Sequence, residues 1–270
     1  MIPIAAIDAH GHYGRYVGAV DAVADEFMSA TGKAVADRAQ KANIQYTIVS
    51  PSEAFFPRGG GNSVTGNIDA ARIVEEVPGL LQFVVIDPLV PRTFEQADEM
   101  LRSPRCVGIK IHPEEHLYSI REYGDAIFEF AAARNAVVLT HSSEQNSLAA
   151  DFVPLANAYP TVRLILAHIG CGWDGDMTHQ VRAIQQSTQG NMWADTSSIR
   201  SVTPGLIEWA VRELGADRVL FGTDTPLYHS VVQRARIDHA DLSDLQKMQI
   251  LRENAVRLFD LDRRLNCTAH

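Results

Sequence analysis

Short apolar segments alternate with longer amphipathic segments along the whole sequence, and this alternation constrains the fold most. Several apolar segments are unbroken Val, Ile and Leu runs, such as 137–139 and 164–166, which is typical of parallel strands buried on both faces. The strand-like segments are 4–8, 44–50, 80–87, 106–112, 136–141, 162–168, 191–195 and 217–223. The helix-like segments are 20–41, 64–77, 93–102, 120–134, 147–158, 177–189 and 204–214. Eight strand–helix units of roughly 34 residues predict a single (β/α)8 TIM barrel domain over residues 1–270.

An open, doubly wound sheet is the alternative architecture, and one motif points towards it. The segment 170–175 reads Gly-Cys-Gly-Trp-Asp-Gly, and Asp195 lies twenty residues beyond it. That is close to the dinucleotide-binding pattern. The match falls in the sixth unit rather than the first, however, and His168 stands at the end of the preceding strand. We therefore expect these glycines to form a tight turn beside a pocket rather than a nicotinamide site.

Composition narrows the classes of partner. The 270 residues include 24 Lys and Arg against 33 Asp and Glu, a net charge of −9, which disfavours nucleic acid and anionic membranes as partners. The three cysteines are widely spaced, which suits a reducing compartment without disulfides. No apolar run reaches the ~18 residues of a membrane helix, and no signal peptide is evident. We expect a cytoplasmic protein with a small-molecule substrate, and the sequence leaves the oligomeric state open, a homo-oligomer included.

Ligand-type side chains stand at the ends of most of the predicted strands. In a barrel these ends meet at one face, where active sites are built. His10 and His12 are two residues apart, so on an extended strand both rings point to the same side. A single such histidine would most simply be a hydrogen-bonded core residue, but the full set favours a divalent metal site. The set comprises His10, His12, Lys110, His112, His141, His168, Asp195 and Asp224.

These motifs resemble those of a known family. The order is Asp-x-His-x-His after the first strand, Lys after the fourth, His after the fifth and sixth, and Asp after the eighth. The contexts Gly-Ile-Lys-Ile-His-Pro at 108–113 and Phe-Gly-Thr-Asp-Thr-Pro at 221–226, and the last helix at 250–259, are similar to the amidohydrolase-related (amidohydrolase 2) metal-dependent hydrolases of the amidohydrolase superfamily. The resemblance covers the whole chain.

The resemblance implies a metal centre and a hydrolytic mechanism. His10, His12, His141 and Asp224 would hold the metal, most simply one Zn²⁺ rather than two ions, with Mn²⁺ as the alternative. Such an ion lowers the pKa of bound water towards ~7. Asp224 would take the proton of the water and pass it to the leaving group. His168 would orient the water or polarise the substrate carbonyl.

Lys110 has three interpretations. As a carboxylated lysine it would bridge two metals, as a free ammonium it would bind a substrate carboxylate, and as a structural residue it would pair with an acid such as Glu114. Four further residues are assigned to substrate binding, because mouth loops carry specificity. They are Arg58 in a glycine-rich loop, His112, Tyr13 and Ser197. The alternatives are a strand-capping role for His112 and Ser197 and solvated loop positions for the others.

Three functions follow from this set. The first is a metal-dependent hydrolase that cleaves a small carboxylated substrate, such as a lactone or an amide. The alternative is a non-oxidative decarboxylase of the same family, which uses nearly the same ligands but no attacking water. The third is a non-catalytic metal-binding barrel, which is disfavoured because structural metal sites normally close with four protein ligands. The strand-four context favours the hydrolase, so hydrolysis is the prediction.

Overall fold

All eight predicted strands form one parallel sheet. The computed structural model describes residues 4–17 and 21–266. The strands are neighbours in sequence order, and every neighbouring pair is parallel. They are β1 (Ala6–Tyr13), β2 (Ile44–Pro51), β3 (Leu80–Val85), β4 (Cys106–Ile111), β5 (Val137–Thr140), β6 (Arg163–Leu166), β7 (Met192–Asp195) and β8 (Val219–Leu220).

The sheet closes between β1 and the chain that follows β8. The amide of Ala9 donates to the carbonyl of Phe221 at 2.8 Å. Gly11 also forms a parallel bridge with Thr225. The first and last strands are therefore neighbours, which confirms the predicted (β/α)8 TIM barrel over the open sheet.

Helices alternate with the strands as predicted. They are α1 (Ala22–Phe27), α2 (Gly32–Lys41), α3 (Ser52–Phe55), α4 (Ser63–Glu76), α5 (Arg92–Met100), α6 (Pro113–His116), α7 (Ile120–Ala133), α8 (Phe152–Ala158), α9 (His179–Gln186), α10 (Leu206–Leu214), α11 (Ser230–Asp238), α12 (Asp244–Met248), α13 (Asn254–Phe259) and α14 (Leu261–Asn266). None of the helices in the described ranges is long and apolar enough to cross a bilayer.

The predicted helical segment 20–41 is two helices. Ala30 forms an antiparallel bridge with Gly14 at the end of β1. The hydroxyl of Thr31 then accepts a hydrogen bond from the Ala34 amide and caps a new helix. The segment is therefore interrupted where it is tied to β1, and it restarts as α2.

Two apolar layers surround the sheet. Interior side chains such as Ile7, Leu81 and Phe83 pack together with Phe259 of α13. On the other side of the sheet, residues such as Val84 pack against the helices. Neighbouring strand residues such as Phe83 and Val84 face opposite layers. Burial on both faces is the reason why the strands read as continuous apolar runs.

A bulge in β1 decides which residues face the interior. Asp8 pairs with Thr47 and Gly11 pairs with Val49, so β1 advances three residues while β2 advances two. Before the bulge the odd-numbered Ile7 and Ala9 belong to the interior layer. After it the alternation is shifted by one residue, and the even-numbered histidines of β1 take the interior positions.

A second bulge has the same effect in β4. Gln82 pairs with Cys106 and the next residue, Phe83, pairs with Gly108, which leaves Val107 as the extra residue. A Cβ atom at Gly108 would lie 2.8 Å from Phe83 Cε1, so only glycine fits beside this ring. Lys110, two residues further on, therefore faces the interior at the barrel mouth.

Candidate active site at the barrel mouth

Three ligand-type side chains converge where β1 and β8 end. His10 Nε2 and His12 Nε2 are 3.1 Å apart. Asp224 Oδ1 lies 3.1 Å from His12 Nε2 and 3.7 Å from His10 Nε2. All three side chains are buried. The backbone of Asp224 has a φ of +56°, in the left-handed region that few non-glycine residues adopt.

Hydrogen bonds on the far side of each ring fix the state of these histidines. His12 Nδ1 lies 3.1 Å from the backbone carbonyl oxygen of Ser50, and His10 Nδ1 lies 2.9 Å from Asp195 Oδ2. Both partners can only accept, so each Nδ1 carries a hydrogen. Burial lowers the pKa of His12 to about 4. Nε2 of the neutral His12 ring therefore presents a lone pair towards His10 and Asp224.

This arrangement fits a divalent cation. Two imidazole nitrogens and a carboxylate oxygen face one another within 3.7 Å. Burial opposes ionisation of Asp224, but the adjacent His12 and the other neighbouring histidines hold the pKa of this carboxyl below its usual range. Nitrogen and carboxylate donors in this mixture suit Zn²⁺ or Mn²⁺. His10, His12 and Asp224 form one of two described groups that could hold an ion, and the other is His10, His168 and Asp195.

A buried hydrogen-bond network supports the trio from the end of β7. Ser197 Oγ donates to Asp195 Oδ1 and lies 2.9 Å from His168 Nδ1. His168 Nδ1 also lies 3.2 Å from the Ser197 carbonyl oxygen, so this nitrogen carries the hydrogen and Nε2 is the acceptor. Burial lowers the pKa of His168 to about 3. Asp195 thus orients His10, while Ser197 orients both Asp195 and His168.

Lys110 lies against the trio. Its Nζ is 3.0 Å from His10 Nε2 and the side chain is 1% exposed. Burial lowers the pKa of Lys110 to about 8, although the negative charges of Asp224 and Asp195 act to raise it. Glu114 instead accepts hydrogen bonds from the backbone and side chain of Asn146. Lys110 therefore lies at the bottom of the site and is not the partner of Glu114, and its role as a free ammonium stays a prediction.

A cavity of about 280 Å³ opens above these residues. Three parallel rings form one side of it. The rings of His112 and His141 stack at 4.3 Å with an interplanar angle of 10°, and those of Phe55 and His112 stack at 5.6 Å with an angle of 11°. The size lies just below the range of pockets for drug-sized ligands, so the cavity suits a small molecule.

Three predicted site residues have other positions in the structure. His141 lines the cavity, but its Nε2 binds Ser143 Oγ at 3.0 Å, and His141 is not among the described groups that could share an ion. Ser197 belongs to the buried network and does not line the cavity. Tyr13 packs in a separate apolar cluster and donates to Asp69 at 2.9 Å, because the β1 alternation turns it away from His12. The side chain of Arg58 lies outside the described part of the chain.

His112 lines the cavity and also caps a helix. Its Nδ1 accepts a hydrogen bond from the Glu115 amide at 3.4 Å at the start of α6. Burial and the neighbouring His141 lower the pKa of His112 well below its usual value. His112 therefore lines the cavity and caps a helix rather than the strand, and its contact with substrate stays a prediction.

Sequence reasoning missed several cavity residues. Histidine or aspartate at the end of a strand was the sequence signal for a site residue, and β2 ends in neither. Phe55 in α3, directly after β2, is nevertheless the end of the ring stack. Glu115 and Glu144 also line the cavity. Glu115 follows the predicted Lys110 and His112 closely, and that proximity was the available signal.

The glycine-rich segment 170–175 forms a turn after β6. Gly170 and Gly175 both have φ above +80°. A Cβ atom at Gly172 would lie 2.4 Å from the Asp176 carbonyl oxygen, so the turn requires glycine there. Asp195 is fully buried and hydrogen-bonded to His10. These observations agree with the expected tight turn beside the pocket.

Comparison with known proteins places the fold. The amidohydrolase family model matches residues 7–261. A 2,6-dihydroxybenzoate decarboxylase in complex with 2,6-dihydroxybenzoate is similar with a TM-score of 0.77 at 14% identity, covering 96% of this chain and 100% of that chain. A dihydroxybenzoic acid decarboxylase from Polaromonas sp. JS666 with bound manganese and 2-nitroresorcinol has a TM-score of 0.77 at 15% identity, covering 98% and 100%. A 5-carboxyvanillate decarboxylase from Sphingomonas paucimobilis has a TM-score of 0.74 at 14% identity, covering 96% and 99%.

These comparisons correct the predicted chemistry. The prediction of a hydrolase is wrong, because the similar structures named above are decarboxylases, the alternative considered from the sequence. The sequence could not separate the two because both reactions use nearly the same ligands. A divalent metal is supported, but zinc is not specifically, since the Polaromonas structure holds manganese. Because the family model extends from β1 into α14 and the ligand residues meet at the mouth of its barrel, the chain belongs to the amidohydrolase family.

Proposed function

We propose that this protein is a metal-dependent, non-oxidative decarboxylase of small aromatic carboxylic acids. One observation carries the proposal. His10, His12, Lys110 and Asp224 form a cation-binding floor in one small cavity, and the stacked rings of Phe55, His112 and His141 form a wall next to it. The whole chain would act as one catalytic domain. The ion would be Mn²⁺ or Zn²⁺ held by His10, His12 and Asp224. The free thiols of Cys106 and Cys171 favour a cytoplasmic location.

The floor suits the carboxylate that is to be lost. Lys110 provides a cationic Nζ beside His10, and a bound divalent ion would supply a second positive centre that orients the carboxylate and stabilises developing negative charge. A buried carboxylate needs such partners because its desolvation is costly. The floor therefore favours the end of the substrate that carries the carboxylate.

The wall suits a planar ring. Phe55, His112 and His141 line the cavity and stack face to face on one another, so His112 in the middle of the stack offers its edge to a ligand. Stacked or edge-on aromatic contacts add about 0.5–1.5 kcal/mol beyond the area they bury. Such contacts hold the ring so that its carboxylate points to the floor, which is the positioning that the reaction needs.

The reaction replaces the carboxylate on a ring carbon by a proton, with release of CO₂. We assign proton delivery to Asp224, which lines the cavity and, once protonated from solvent, is a strong acid at the floor. His168, whose Nε2 is an acceptor, would receive a hydrogen bond from a ring hydroxyl. That bond would raise the electron density of the ring and favour protonation of the carbon.

The test is CO₂ release with solvent proton incorporation. Mn²⁺-loaded protein would be incubated with 2,6-dihydroxybenzoate and related hydroxybenzoates in D₂O. We expect one CO₂ per substrate consumed and one deuterium at the vacated ring carbon, and we expect loss of turnover in Asp224→Asn. The control is Asp262→Asn, at an exposed position of α14 that does not line the cavity, and it should retain activity. Failure to release CO₂ from the whole aromatic series would refute the proposal.

A further inference from the structure

His116 is a buried histidine that neither the metal floor nor the wall of rings uses. It is the last residue of α6, it is 3% exposed, and it is not among the described residues that line the cavity. Its Nε2 lies 3.0 Å from the backbone carbonyl oxygen of Ala54 in α3. A carbonyl can only accept, so Nε2 carries a hydrogen, and burial lowers the pKa of His116, which favours the neutral ring. His116 is therefore a neutral donor that ties α6 to α3.

The bond between His116 and Ala54 closes a loop of contacts behind the wall of rings. The His116 amide donates to the His112 carbonyl oxygen at 3.1 Å, one helical turn earlier in the chain. Ala54 is followed directly by Phe55, whose ring stacks on the His112 ring at 5.6 Å. A movement of α3 relative to α6 would therefore change the offset between the two stacked rings, and the His116 bond opposes that movement.

Helix α4 holds Ala54 as well. Ser63 Oγ, at the start of α4, donates to the same carbonyl oxygen at 2.8 Å. A Cβ atom at Gly66 would lie 2.8 Å from the Ala54 backbone nitrogen, so α4 packs directly against α3 at this point. The carbonyl oxygen of the residue before Phe55 thus accepts from two different helices, and the removal of either donor loosens the base of the wall.

We propose that His116 is a positioning residue, whose bond to Ala54 keeps the edges of Phe55 and His112 aligned to receive the face of a planar substrate ring. This inference rests on the proposed function and concerns the binding of the ring. The edge of an aromatic ring carries partial positive charge and its face partial negative charge, so an edge-to-face contact is favourable only at the right offset. Misaligned edges would meet the substrate ring at fewer points.

The metal floor does not depend on this bond. The Phe55 ring contacts the His12 ring at 4.7 Å, but the Nδ1 of His12 is held separately by the Ser50 carbonyl oxygen of β2. His10 is held by Asp195 at the end of β7. Loss of the His116 bond should therefore weaken ring binding and leave the affinity for the metal unchanged, whereas a general loss of structure would weaken both.

A matched pair of substitutions tests the bond. His116→Gln keeps an N–H donor at the end of the side chain, whereas His116→Met has a similar length and no donor. Calorimetry on Mn²⁺-loaded protein would compare benzoate with cyclohexanecarboxylate, which share the carboxylate and differ in the flatness of the ring. We expect the wild type and His116→Gln to bind benzoate about fivefold more tightly, and we expect this preference to fall below about twofold in His116→Met. His239→Gln makes the same chemical change at an exposed position away from the cavity and should keep the wild-type ratio.

Two further measurements separate positioning from damage to the fold. A Mn²⁺ titration of each variant should give an affinity within about twofold of the wild type, because the ligands keep their own hydrogen bonds. Ser63→Ala removes the other donor to the Ala54 carbonyl oxygen and should lower the benzoate preference by about twofold. If His116→Met does not fold, an unchanged preference in Ser63→Ala overturns the inference.

The outcomes separate this inference from the proposed function. Equal affinities of the wild type for the two acids, binding of neither acid, or equal losses for both in His116→Met would overturn the positioning role even if CO₂ is released. A His116→Gln variant that behaves like His116→Met would also overturn it. The expected ratios without CO₂ release from the hydroxybenzoates would support the role of His116 and refute the decarboxylase.

Discussion

Gly11 lies between the two histidines of β1, and its replacement by alanine gives the sharpest test of the site geometry. A Cβ atom at Gly11 would lie 2.5 Å from Thr47 Cγ2 and 3.2 Å from Thr225 Cγ2. Both threonines are buried, so neither methyl group can move into solvent. Overpacking a buried site costs about 1–3 kcal/mol of stability. Alanine also restricts the unfolded chain more than glycine does, which stabilises the folded state by about 0.4–1 kcal/mol. We expect Gly11→Ala to lower the free energy of unfolding by about 1–2 kcal/mol.

Two measurements check this expectation. Urea unfolding gives the free energy, and a Mn²⁺ titration gives metal affinity, which should fall about tenfold or more because the flanking histidines are displaced. Thr47→Ser removes the methyl group at 2.5 Å and is the matched second change. In the double variant we expect a favourable coupling energy of about 1 kcal/mol, since the contact with Thr225 remains.

The reasoning would be refuted by either of two results. Gly11→Ala with wild-type stability and wild-type Mn²⁺ affinity would show that β1 has room for a side chain at this point. Strict additivity of Gly11→Ala and Thr47→Ser would show that the two side chains do not meet.

Three further predictions follow from the hydrogen bonds and the metal site. Ser197→Ala removes bonds to Asp195, His10 and His168, so we expect a loss of about 1–3 kcal/mol of stability in urea unfolding and a ten- to hundredfold weaker Mn²⁺ affinity by titration; unchanged values would contradict the network. Burial raises the pKa of Asp8 to about 7 despite its hydrogen bonds with Thr223. Because this folded-state pKa exceeds the unfolded value of about 4, its contribution to stability is present below pH 4 and is lost as the pH rises to about 7. Unfolding of metal-free protein should show this decline relative to Asp8→Asn, and parallel pH profiles would exclude it. Removal of metal by a chelator should lower the melting temperature and abolish turnover, both restored by Mn²⁺; a melting temperature insensitive to chelation and Mn²⁺ would argue against the ion site.

The strand pattern was predictable because burial on both faces leaves unbroken apolar runs. The structure puts the ends of β2 and β4 within one residue of the predicted segments. The interruption of segment 20–41 was not predictable, because the bridge between Gly14 and Ala30 joins residues that are distant in sequence. The Thr31 cap is a local signal for the restart of the helix, but it does not reveal the bridge that interrupts the segment.

The candidate site was partly predictable for a similar reason. Counting ligand-type residues at strand ends found His10, His12 and Asp224, which the barrel brings together. Tyr13 was assigned to substrate binding although it directly follows His12, and regular alternation along the strand turns its side chain to the opposite face. Phe55 was missed because an aromatic wall has no titratable signature. The reaction type was assigned incorrectly because the same donors serve both chemistries.

The bulge in β1 separates two kinds of residue within this eight-residue strand, those that pack the barrel interior and those that would bind the ion. Before the bulge, Ile7 and Ala9 must fit the packing of the barrel interior. After it, His10 and His12 must fit the geometry of a bound cation. Because the bulge shifts the side-chain alternation by one residue, the residues of either half can be replaced without changing the direction of the side chains in the other half. A designer could therefore exchange the pair above the bulge for other ligands and leave the apolar half intact, whereas deletion of the extra residue would turn the imidazoles towards the helices.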